Sequence, residues 1–102
     1  MRKFLVIYSK KEKKKAPFEL LKDHICFLKE LEKKEKLILC GPLLDQDRAL
    51  LLINASSKEN VLNLIHRDPF IQTKYYQAFE VTEFLEANSQ NHFLLNLEGN
   101  ET

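Results

Sequence analysis

Three short apolar runs, Phe4–Tyr8, Leu37–Leu44 and Ala49–Ile53, limit what this chain can fold into. Each is too short for an ordinary helix and is apolar at consecutive positions instead of alternating. Successive side chains of a strand point to opposite faces, so strands like these are apolar on both. A sheet built from them must be covered twice. The middle run carries Gly41-Pro42 near its end. Glycine inside a strand marks a bulge or a close backbone approach, and proline removes a ladder donor. Pairing is therefore expected to stop or change partner there.

The other elements fall around these runs. Pro17 suits a first helical turn, and Leu20, His24, Phe27 and Leu31 recur at helical spacing. Leu21, Ile25 and Leu28 widen that stripe, with Lys22, Lys29, Glu30 and Lys33 opposite. The spacing predicts a helix from about 17 to 34. Asp45-Gln46-Asp47 separates the second and third runs as a hairpin turn would. Ser56 and Glu59 have capping-box spacing ahead of Val61, Leu62, Leu64 and Ile65, which predicts a second helix. Asp68-Pro69 stops it, because the residue before proline is pushed out of the α region. Tyr75–Phe84 places Phe79 and Val81 on one face and Glu80 and Thr82 on the other, a half-exposed last strand. Residues 1–86 are thus expected to form one domain. The polar tail 87–102, with its island Phe93-Leu94-Leu95, is expected to be frayed or docked on a partner subunit.

The order β-α-β-β-α-β predicts an α+β, ferredoxin-like fold: two helices on one face of a four-stranded, mostly antiparallel sheet. The second apolar face is most economically hidden against another copy, so a homodimer is expected.

Charge and cysteine usage narrow the function classes. A formal net charge of +1 gives no electrostatic case for nucleic acid or an acidic membrane. The lysine run 10–15 reads as a solvated loop, since an anion patch there lacks aromatic interleaving or a glycine-rich turn. Cys26 and Cys40 have no short-spaced partner of a zinc site or CxxC motif and are expected to be small buried hydrophobes. No apolar segment has the length of a signal peptide core or the roughly 20 residues of a membrane span. A reducing, cytoplasmic location is the default expectation, with no membrane or nucleic-acid partner expected.

Two residues stand out for chemistry. His24 puts a polar ring in an apolar helical stripe. It is either a core histidine satisfied by a carbonyl or carboxylate, or an acid or base in a cleft. Asp68 is either an Asp-Pro turn residue or a carboxylate that bonds His24 and sets its tautomer. His66 and Asp68 form an H-x-D pair that could ligate a metal, but two potential ligands without a third are weak evidence, and no metal is expected.

Taken together, Asp23-His24-Ile25-Cys26-Phe27-Leu28, Leu37-Ile38-Leu39-Cys40-Gly41-Pro42-Leu43 and Asp68-Pro69-Phe70 resemble the YciI-like (YCII-related) family from Phe4 to about Phe84. Glu35-Lys36 departs from it, standing where the family often has glycine. The resemblance implies a dimeric α+β barrel, two ferredoxin-like sheets packed face to face. It also implies a pocket in which His24 and Asp68 form an acid-base dyad. Most of the family has no assigned reaction, and a few relatives of this type look like small enzymes that remove HCl from a ring-derived intermediate in chlorinated-aromatic degradation. Two functions stay open. One is a cofactor-free lyase or isomerase acting on a small carbonyl-bearing or anionic molecule, with Tyr8, Gly41, Pro42 and Phe70 as pocket wall. The other is a non-catalytic dimeric module for a small ligand or protein, in which the His-Asp pair is structural.

Overall fold

A computed structural model describes residues 2–44 and 47–95. The chain order is β1 (Arg2–Lys11), α1 (Phe18–Lys33), β2 (Leu37–Leu43), β3 (Arg48–Ala55), α2 (Lys58–Ile65), α3 (Pro69–Gln72) and β4 (Tyr76–Phe84). A short 3-10 segment, Ser89–Leu94, follows. The sheet order is β2-β3-β1-β4, with every neighbouring pair antiparallel. This is the ferredoxin-like α+β arrangement the element order predicts.

Alternation decides which side chains make the core. Phe4, Val6 and Tyr8 of β1 are buried, as are Leu51, Ile53 and Ala55 of β3 and Val81 of β4. Leu31 of α1 and Val61 and Ile65 of α2 close over them. Side chains of this kind contribute roughly 1.5–3 kcal/mol each when fully buried. The opposite face is also apolar. There Leu5 pairs with Leu52 and Ile7 with Leu50, all half-buried, and Leu39 beside Leu52 is 51% exposed.

Several local expectations change. The cap of α2 is Ser57, not Ser56: its hydroxyl accepts from the Asn60 N–H at 3.1 Å, while Ser56 Oγ takes the Asn60 side-chain amide. Asp68-Pro69 does more than stop α2. Asp68 is the N-cap of α3, with Pro69 in its first turn, where a missing N–H does no harm. The β2–β3 bulge lies between Leu37 and Leu39 rather than at Gly41, and a Cβ placed on Gly41 would meet nothing of this chain within 4 Å. Pairing runs on through Gly41–Leu50 and Pro42–Ala49, against the expectation that it stops there. Cys26 and Cys40 are both exposed, against the expectation that they are buried. Cys26 lies two residues, or about 200° of helix, from the stripe residue His24 and so faces outward. Cys40 sits on the edge strand β2 beside a cavity. Asp45 and Gln46 of the hairpin turn and residues 96–102 of the expected tail lie outside the described residues.

The departure at Glu35 has a clear geometric consequence. The Glu35 N–H bonds the Glu32 carbonyl and the Lys36 N–H bonds the Leu31 carbonyl, both at 2.9 Å. That is the Schellman pattern, which wants a left-handed residue after the cap, usually glycine. Glu35 supplies it with φ of 60°. Replacement Glu35→Gly is therefore expected to stabilise the fold by about 0.5–1 kcal/mol, the strain relieved exceeding the chain entropy added. An increased urea midpoint with unchanged slope is the expected readout, and an unchanged or lower midpoint contradicts it.

Candidate active site

The site begins with a cap. Asp68 precedes α3 with an extended backbone, and its Oδ1 accepts the Phe70 N–H at 2.9 Å. The same oxygen lies 2.8 Å from His24 Nδ1, and Oδ2 accepts the Tyr8 hydroxyl at 2.7 Å. The turn residue and the histidine's partner are thus one and the same carboxylate. Asp68 has no exposure and lies amid apolar side chains. A carboxylate there is tolerable only when its oxygens are well bonded. Three donors from β1, α1 and α3 meet that need.

The His24 ring stacks on Phe70 at 3.7 Å between centroids, 10° from parallel. Stacking and the Asp68 bond together fix its orientation. A carboxylate acceptor puts the proton of the neutral ring on Nδ1, leaving Nε2 as an acceptor with no partner among the described residues. The His24 side chain is 13% exposed. It lines a cavity of about 350 Å³ between α1 and the β2–β3 side of the sheet.

Tyr8, Gly41, Pro42 and Phe70, named from the sequence as pocket wall, all line this cavity. Cys40, expected from the sequence only as a buried hydrophobe, and Tyr76, which sequence reasoning did not single out, line it too. Burial first, then the Asp68 charge, pushes the Tyr8 hydroxyl far above the usual phenol range, so it stays protonated and donates. Burial, then Tyr75 and Asp47, also raises Tyr76. The Tyr76 hydroxyl makes no hydrogen bond among the described residues and remains a neutral donor. The Tyr8–Asp68 bond was missed as well, although a tyrosine ending the buried series Phe4, Val6, Tyr8 calls for a partner for its hydroxyl.

The H-x-D pair does not come together. His66 Nδ1 lies 2.7 Å from the Leu62 carbonyl and its ring meets the Phe79 edge, away from Asp68 and its partners. Among the described residues, no three His, Cys, Asp or Glu side chains gather as a metal site would.

Fold and site together define a small ferredoxin-like α+β domain with a carboxylate-oriented imidazole at the wall of an apolar cavity. The YCII-related domain matches residues 1–85, and the chain belongs to that family. Among solved structures it is similar to the 5-chloro-2-hydroxyhydroquinone dehydrochlorinase TftG from Burkholderia phenoliruptrix AC1100, in complex with 2,5-dihydroxybenzoquinone. The TM-score is 0.56 and the identity 22%, over 85% of this chain and 97% of that one. At that identity the likeness concerns the fold. No curated protein matches the sequence.

Because Asp68 accepts on both oxygens, Asp68→Asn must turn an NH2 group toward one of its donors. A loss of about 1–3 kcal/mol in unfolding free energy is expected from denaturant titration. A loss below about 0.5 kcal/mol, the range of ordinary surface changes, contradicts the bonding described.

Proposed function

We propose that this protein is a small cofactor-free lyase or isomerase in which His24 moves a proton on a compact carbonyl-bearing molecule. The observation that carries the reading is the Asp68–His24 pair at 2.8 Å, with the ring partly exposed at a cavity rather than sealed in the core. Asp68 holds the imidazole in its Nδ1–H tautomer, so Nε2 is the base. Tyr8 holds the carboxylate from its other side. In a dehydrohalogenation, Nε2 takes the proton next to the carbonyl, the C–H electron pair forms a carbon–carbon double bond, and halide leaves with the electrons of its bond to carbon. Charge developing on the carbonyl oxygen needs a donor, and the neutral Tyr76 hydroxyl is available at the same cavity. The fold likeness to a dehydrochlorinase supports this class of reaction.

The working form is a homodimer closed over the apolar sheet face. Leu5, Ile7, Leu50 and Leu52 are half-buried there, and a second copy removes them from water. The contact should exceed about 1,000 Å² in total, the range of specific association. The two free thiols, Cys26 and Cys40, fit the reducing cytoplasm.

The test is halide release from chlorinated hydroxyhydroquinones, with light scattering on the same samples. His24→Ala is expected to lower kcat by at least about 100-fold, the usual contribution of a general base, at unchanged dimer mass. Retained turnover contradicts the role of His24. A monomer at micromolar concentration contradicts the dimer.

A further inference from the structure

Among the described residues the cavity carries no lysine, arginine, aspartate or glutamate on its walls, so they hold the body of a ligand but offer it no countercharge. A second cleft, of about 430 Å³, adjoins it and shares Leu21, Phe70 and Tyr76. Among the described residues the cleft adds two cations, Lys11 and Lys15, and no acid to its walls, although the charge of Asp47 acts on Tyr76, which both spaces share. Neither lysine makes an ion pair among the described residues. Both come from the lysine run; Lys11 is half-buried and Lys15 exposed, and they differ from Lys13 and Lys14 in that the latter line neither space.

Lys11 is held by the sheet rather than by a loop. It pairs with Tyr76 across β1 and β4, and the next N–H, of Glu12, bonds the Tyr75 carbonyl at 2.7 Å. Strict alternation from Tyr8 would send Lys11 to the face away from the helices. Lys10 has φ of 56°, a conformation that costs a non-glycine residue energy, and it breaks that alternation. Lys11 then lines a cleft walled by Phe18 and Leu21 of α1. Strain is thus accepted at the point that brings a cation to the cavity mouth.

Given the reading of the cavity as a substrate site, we infer that Lys11 and Lys15 determine its specificity, selecting a flat ring compound that carries an anionic oxygen. The ring lies in the apolar cavity beside the stacked His24–Phe70 pair and Tyr76. The anionic group, a carboxylate or phenolate, projects into the neighbouring cleft and meets the two ammonium groups.

The probes are 2-naphthoate and its neutral analogue 2-naphthamide, titrated against the full chain by NMR, with ring signals of His24 and Phe70 reporting seating. Wild type is compared with Lys11→Gln/Lys15→Gln and with Lys13→Gln/Lys14→Gln, which changes net charge equally. Naphthoate is expected to bind wild type about fivefold or more tighter than the amide at low salt, an advantage that high salt reduces. The Lys11/Lys15 variant loses that advantage with amide affinity unchanged, and the Lys13/Lys14 variant keeps it. Equal affinities in wild type, a preference surviving in the Lys11/Lys15 variant, an equal loss in both variants, or no binding of either probe overturns the inference. The assay requires no turnover, so an active His24→Ala enzyme would refute the catalytic reading while leaving the lysine result readable.

Discussion

A buried carboxylate holds this domain's helices and sheet to one point. Asp68 has no exposure, and its two oxygens collect the Tyr8 hydroxyl, the His24 imidazole and the Phe70 N–H. Those donors belong to β1, one of the two interior strands, to the first helix and to the short helix that Asp68 itself caps. Removing any one leaves part of a desolvated charge unmatched. Well-packed apolar residues can replace such a cluster with little loss of stability. Stability alone therefore does not account for an ionic group here. Under the proposed function, setting the tautomer of a cavity-facing histidine does.

The cavity follows from the sheet order. The strand β2 is at the edge, and α1 does not seal its inner face, so Cys40 is left exposed and open volume remains beside His24. One set of contacts thus divides the labour. The inner faces of β1 and β3 close a dry core, the edge strand borders an open space, and the outer face presents leucine and isoleucine, the surface that the proposed dimer would cover.

Much of this was legible in the sequence because it depends on period and punctuation. Unalternated runs gave the strands, the stripe through Leu20, His24, Phe27 and Leu31 gave the first helix, and their order gave the ferredoxin-like layout. His24 and Asp68 could be named because a polar ring in an apolar stripe and an Asp-Pro step are local signals. What escaped was set by tertiary geometry. Whether Cys40 is buried depends on how far α1 reaches over an edge strand, which no local pattern records. Asp68 was legible as a helix stop but not as the cap of α3, since a four-residue helix has too little periodicity to detect. Tyr76 and Lys11 reach the site through β1–β4 register and the left-handed Lys10, both invisible until the strands are paired.

The central claim is that Asp68 fixes His24 as the Nδ1–H tautomer with Nε2 left as acceptor. Nitrogen-15 NMR of the imidazole reads this directly, because protonated and unprotonated ring nitrogens resonate far apart. At a pH where the ring is neutral, the account predicts a protonated Nδ1 and an unprotonated Nε2, a state that Asp68→Asn abolishes or mixes. A His24 ring protonated on Nε2, or one averaging both tautomers in the unaltered protein, would contradict it.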